Sequence, residues 1–151
     1  MLISVIGGNR ASPKILAQAE ELGRGLAERG LTVVCGGLGG VMEAVCRGAK
    51  SAGGTTIGIL PGNRASAANP HVTIPIPTGI GLARNAIVAL AGEVVIALDG
   101  KYGTLSEIAY ALNFGKPVIG IETWGIEGVR SAADAAEALK VLGEWGVDSR
   151  E

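Results

Sequence analysis

Short β-branched runs alternate with helical patterns along this chain, and glycines cluster where strands hand over to the helices that follow. Leu2–Ile6, Leu31–Cys35, Thr55–Leu60, Val72–Ile76, Glu93–Leu98 and Pro117–Ile121 read as strands. The first three are nearly continuous apolar runs, as expected of strands covered on both faces. Between them apolar residues recur at helical spacing. Ile15, Leu16, Ala19, Leu22 and Leu26 make one stripe, and Val41, Met42, Val45 and Ala49 make another. Ser12 reads as the cap of the first helix, with Pro13 in its first turn. Further helices are expected over Gly39–Ala52, Gly79–Ala91, Thr104–Phe114 and Ser131–Trp145, the last capped by Ser131. This order predicts an α/β fold: one domain, Rossmann-like, with a doubly wound parallel sheet and right-handed crossovers.

With 151 residues, 48% of them hydrophobic, the chain can close one core and does not resemble a disordered segment. A net charge of −1 offers neither a basic groove for nucleic acid nor a polybasic membrane patch. Met1 leads directly into the first strand, with no signal-peptide pattern. No apolar run reaches the roughly 18 residues of a spanning helix. A cytoplasmic protein with no nucleic-acid or membrane partner is expected. Cys35 and Cys46 form no C-x-x-C pair and read as buried free thiols. His71 is the only histidine, so no metal site is predicted. Trp124 and Trp145 read as packing residues.

In an open parallel sheet, ligands bind beyond the C-terminal ends of the strands near the switch point. The loops there are Gly7-Gly8-Asn9-Arg10, Gly36-Gly37-Leu38-Gly39-Gly40, Pro61-Gly62 and Asp99-Gly100-Lys101-Tyr102-Gly103-Thr104. Helix N-termini attract anions, and glycine lets a phosphate approach the backbone. Several such loops on one sheet edge predict a phosphate site using Gly7, Gly8, Gly36, Gly37, Gly39, Gly40, Pro61, Asn85, Asp99, Gly100, Gly103 and Thr104. The G-x-G-x-x-G order is missing after the first strand, as is G-x-x-x-x-G-K-[ST], which disfavours ordinary NAD enzymes and ATPases.

Thr104-Leu105-Ser106-Glu107 admits two readings. It matches the T-x-x-E capping box at a helix start. Alternatively, Glu107 is an ionised carboxylate beside a phosphate loop, able to stabilise positive charge on a sugar or to orient a water. Within the expected helix Gly79–Ala91, Arg84 shares a face with Ile80, Ile87, Val88 and Ala91. It reads either as a snorkelling side chain or as an anion-binding or catalytic arginine.

Asp99-Gly100-Lys101-Tyr102-Gly103-Thr104-Leu105-Ser106-Glu107 resembles the P-G-G-x-G-T-x-x-E motif of the Lonely Guy family of cytokinin-activating phosphoribohydrolases. Gly36–Glu43 is similar to that family's earlier motif, G-G-G-x-x-G-x-M, and the likeness continues through Ala52-Gly53-Gly54 and Ile57–Pro61 to about Ile121. The resemblance implies catalytic roles for Arg84 and Glu107, and an oligomer of at least two copies. Three features depart from the enzymes: Asp99 replaces the motif's proline, Lys101 replaces its second glycine, and Arg84 stands in Gly-Leu-Ala-Arg-Asn. The Arg-Asn form looks closer to the branch that includes the molybdenum-cofactor carrier proteins.

Two functions are therefore expected. One is hydrolysis of the N-glycosidic bond of a nucleoside 5′-monophosphate, with no cofactor required. The other is non-catalytic carriage of a phosphorylated small molecule such as the molybdenum cofactor. In either case the partner is a small phosphorylated ligand. Lysine decarboxylation is not expected, since nothing beyond an isolated Lys101 suggests a pyridoxal-phosphate site.

Overall fold

The computed structural model describes residues 1–148. Seven strands form one sheet in the order β4-β3-β2-β1-β5-β6-β7, with every neighbouring pair parallel. The chain runs β1 (Leu2–Gly7), α1 (Pro13–Glu28), β2 (Thr32–Cys35), α2 (Val41–Ser51), β3 (Thr56–Leu60) and β4 (Ile74–Pro77). It then returns through α3 (Arg84–Ala91) to β5 (Val94–Leu98), α4 (Tyr102–Asn113), β6 (Val118–Ile121), β7 (Val129–Ala132) and α5 (Ala135–Glu144). This is the doubly wound arrangement expected from the alternation of elements. The order reverses at β1, which lies between β2 and β5, so the crevice opens where those two neighbours diverge.

Each face of the sheet carries its own apolar layer. Ile3 and Val5 of β1 pack with Ile15, Leu22 and Leu26 of α1, Val45 of α2, and Leu139 and Leu142 of α5. Ile6 packs on the other face with Val88 of α3 and Ile108 of α4. Ser4 is fully buried among these strands because its hydroxyl is satisfied twice. It donates to the Val88 carbonyl at 2.6 Å and accepts from the Gly92 amide at 2.9 Å, which closes the C-terminus of α3. Helices α1 and α2 approach backbone to backbone. A Cβ at Gly48 would overlap the Glu20 carbonyl, and one at Gly23 would overlap that of Val45.

Ser12 caps α1, accepting from the Ile15 amide at 3.3 Å. Four expectations need correction. Residues 129–132, assigned by sequence to loop and helix, form the edge strand β7, so Ser131 lies within a strand. The last helix is capped by Asp134, which accepts from Glu137 N–H at 2.9 Å, while the Glu137 carboxylate accepts from Ala133 N–H at 2.8 Å. The helix expected from Gly79 is broken: Gly79 and Gly81 take left-handed φ values of 68° and 64°, and a single 3₁₀ turn at Gly81–Ala83 precedes α3. At the opposite edge of the sheet, β4 begins at Ile74 rather than Val72. Both cysteines are buried free thiols, with their sulfurs 3.5 Å apart. Among the described residues no helix is long and apolar enough to cross a membrane.

Candidate functional site

Gly7 of β1 pairs with Leu98 of β5, so the two strands end together. The loops beyond them therefore touch: a Cβ on Gly8 would stand 3.7 Å from the Gly100 Cα. Between these loops, the end of β2 and the starts of α3 and α4 lies a cleft of about 470 Å³. Of the residues proposed from sequence, Gly7, Gly8, Gly36, Arg84, Asn85, Asp99, Gly100, Gly103, Thr104 and Glu107 line it. Gly37, Gly39, Gly40 and Pro61 do not.

The second glycine loop is occupied by the protein itself. Gly39 N–H donates to Asn9 Oδ1 and Val41 N–H to the Gly8 carbonyl, each at 3.0 Å. The start of α2 thereby holds the loop after β1 instead of facing open space. Pro61 uses its carbonyl to accept from Gly81 N–H at 2.9 Å, which fixes the turn before α3.

The start of α4 is different. Its cap position, Lys101, makes no side-chain capping bond. The N–H groups of Tyr102, Gly103 and Thr104 belong to the first turn, where a helix offers no internal acceptor. Gly103 and Thr104 line the cleft, so these donors and the positive end of the α4 dipole bear on it. Two cationic residues, Arg10 and Lys101, also belong to the lining.

Because α4 begins at Tyr102, Thr104 is its third residue and Glu107 lies in the second turn. The capping-box reading of Thr104–Glu107 is thereby overturned: Glu107 is a helix-interior residue facing inward. It is only 7% exposed, and it opens onto the cleft. Among the described residues its carboxyl makes no hydrogen bond and no ion pair. Burial pushes the carboxyl up to about 8, against a smaller downward pull from the Arg84 guanidinium. The sequence suggested a carboxylate, but at neutral pH this group is mostly the protonated acid.

Arg84 is 6% exposed and stands at the first position of α3, on the inward side with the fully buried Val88; Ile80 and Ile87, also expected on that face, are exposed. Its Nε donates to the Ile59 carbonyl at 2.9 Å, Nη1 to Asn85 Oδ1, and Nη2 to the Gly36 carbonyl at 3.4 Å. A guanidinium has five N–H donors, so two remain for a ligand. Burial lowers the guanidinium below its ordinary value, partly offset by Glu107. Asn85 Nδ2 donates to Ser106 Oγ at 3.3 Å, and Ser106 Oγ donates to the Gly103 carbonyl at 2.6 Å. The Arg84–Asn85 pair is thus wired to the first turn of α4.

Asp99 adopts φ +51°, a left-handed conformation that aspartate tolerates better than most residues. It turns the chain sharply from β5 toward α4. Sequence reasoning missed Asn9, Arg10, Met42 and Leu82, which also line the cleft. It also placed Trp124 with the packing residues, yet the indole N–H donates to the Lys101 carbonyl at 3.0 Å. The Gly7-Gly8-Asn9-Arg10 segment carried the only available signal for the first two. Among the described residues no cluster of three His, Cys, Asp or Glu could hold a metal ion.

The family model described as LDcluster4, the SLOG cluster4 family, matches residues 1–143. The chain belongs to that family. The likeness first read from Gly36–Glu43 and Asp99–Glu107 extends over most of the chain. The chain is 33% identical over 135 residues to a cytokinin riboside 5′-monophosphate phosphoribohydrolase of Mycobacterium tuberculosis, covering 80% of this chain and 72% of that protein. The solved structure of the molybdenum cofactor binding protein from Rippkaea orientalis superposes with a TM-score of 0.91 at 36% identity, covering 97% of both chains. The molybdenum cofactor carrier protein from Chlamydomonas reinhardtii superposes with a TM-score of 0.86 at 36% identity, covering 95% of this chain and 96% of that one.

Proposed function

We propose that the cleft binds a nucleoside 5′-monophosphate and hydrolyses its N-glycosidic bond to free base and ribose 5-phosphate. One observation carries this reading: Glu107 is a buried, unpartnered carboxylic acid that opens onto the cleft, one helical turn from the free amides of α4. Burial of the side chain disfavours its charged form while its oxygens still open onto the cleft, so the group can offer a proton there.

The phosphate docks on the N–H groups at the start of α4, with Lys101 and Arg10 as exposed counter-charges. The remaining N–H donors of Arg84 orient the ribose phosphate. As the C1′–N bond lengthens, Glu107 gives its proton to the departing base nitrogen and becomes a carboxylate. That new charge faces the positive C1′ centre. Water adds to C1′, and its proton returns to Glu107. Protonated Glu107 therefore replaces the pre-ionised carboxylate expected from sequence.

A second reading, carriage of the molybdenum cofactor or another phosphorylated small molecule without turnover, draws on two observations. One is the whole-chain likeness to the Rippkaea and Chlamydomonas proteins. The other is Lys101, which lines the cleft as a long cation where the phosphoribohydrolase motif has glycine. One experiment separates the two readings. The purified protein is incubated with AMP, GMP, CMP, UMP and an N6-prenylated AMP, and base release is followed by chromatography. In parallel, a denatured sample is searched for bound small molecules by mass spectrometry. Release of any base supports hydrolysis. No release, together with a co-purifying pterin, supports the carrier.

A further inference from the structure

The loop that holds the free amides of α4 does not hold itself. The Asp99 and Lys101 carbonyls both accept from the segment that follows β6. Thr123 Oγ1 donates to the Asp99 carbonyl at 2.7 Å, and Trp124 Nε1 donates to the Lys101 carbonyl at 3.0 Å. Asp99 N–H completes the attachment by donating to the Ile121 carbonyl at 3.1 Å. In a trans peptide unit the C=O and the next N–H point in opposite directions. The Asp99 carbonyl, drawn toward Thr123, therefore turns Gly100 N–H the other way, and Gly100 lines the cleft. The Lys101 carbonyl is shared between Trp124 Nε1 and the first helical bond of α4, from Leu105 N–H at 2.9 Å.

The clamp is built under backbone strain. Glu122, just before it, takes φ +46°, and Asp99, at the far end of its first bond, takes φ +51°. Among the described residues no others but glycines have positive φ. Such conformations persist where the surroundings over-determine them. Trp124 is itself partly exposed, at 36%, and its ring lies 6.2 Å from that of Tyr102, the first residue of α4. A tryptophan so placed contributes little to the core; its contacts are with the loop.

We infer that Thr123 and Trp124 are positioning residues that hold the Asp99–Lys101 loop, and with it the Gly100 amide, toward a bound phosphate through their hydrogen bonds to the Asp99 and Lys101 carbonyls. The inference rests on the proposed phosphate site. Thr123→Val and Trp124→Phe each keep the bulk of the side chain and delete the donor. Dissociation constants for AMP, adenosine and inorganic phosphate are measured by calorimetry on wild type, both single variants, the double variant and Thr123→Ser. Amide shifts of Gly100 and Gly103 are followed by NMR as phosphate is added.

The double variant should bind AMP and phosphate about tenfold more weakly, the scale of one or two lost orienting hydrogen bonds. Adenosine affinity should be unchanged, and Thr123→Ser should restore the Thr123 share. A purely structural role would weaken AMP and adenosine together. Wild type that binds phosphate, with variants that bind it equally well, overturns this assignment alone. Wild type that binds neither AMP nor phosphate overturns the functional reading and this assignment with it.

Discussion

Replacing Glu107 by glutamine keeps the size of the side chain and removes its proton equilibrium. In the unfolded chain the carboxyl titrates near its ordinary 4.5, and in the folded protein at about 8. Between those values the folded state holds a proton that the unfolded state has lost. Stability therefore falls as pH rises through that window, by ~1.4 kcal/mol per pH unit. From pH 5 to pH 8 the loss amounts to roughly 3 kcal/mol. Below about 4.5 both states are protonated and the penalty vanishes. Glutamine does not titrate, so denaturant unfolding of wild type and Glu107→Gln, measured at half-unit intervals over pH 5–9, should give diverging curves. The stability difference should shift toward the variant by roughly 3 kcal/mol across that range. Base release should behave oppositely. Losing a positioned general acid costs on the order of 10²-fold or more in turnover, and wild-type turnover should itself decline as pH rises through about 8. Parallel stability curves would show that Glu107 is not held protonated by burial. Undiminished turnover in the variant would remove it from the chemistry.

Arg84→Ala should cost stability as well as binding, because it leaves the Ile59 and Gly36 carbonyls without their donor. A loss of about 1–3 kcal/mol in urea unfolding is expected, with weaker binding of AMP than of adenosine relative to wild type. Unchanged stability would place the guanidinium outside its present contacts. Asp134→Ala should lower stability by ~1 kcal/mol through loss of the α5 cap; a change below the error of a thermal melt would contradict the assignment. The outer faces of α3 and α4 expose Ile87, Leu90, Tyr110 and Phe114. Light scattering should therefore report a homo-oligomer of at least two chains, and a 15.2 kDa particle at micromolar concentration would refute this.

The sequence by itself determined the identity and order of most elements, because these follow from local rules. The α1 stripe of Ile15, Ala19, Leu22 and Leu26 is buried as its spacing requires, and Ser12 and Pro13 start that helix as their chemistry requires. The position of the crevice also followed, since alternating elements with glycine loops leave few topologies to consider. β7 was not legible: Val129-Arg130-Ser131-Ala132 is a short edge strand whose partner, β6, supplies the pattern that its own residues lack. Nor was it legible which glycine loop stays open. Gly37, Gly39 and Gly40 look as available as Gly100 and Gly103, but Asn9 Oδ1 and the Gly8 carbonyl, some thirty residues away in sequence, take the Gly39 and Val41 amides, which the sequence does not reveal. The state of Glu107 was decided in the same way. Its motif names a carboxyl group, whereas its proton depends on the depth of burial and on an arginine from another helix. Periodicity and capping are written within a few residues of one another. Solvent exclusion and hydrogen-bond competition are set by whichever distant segments the fold brings together, and only the tertiary structure specifies those.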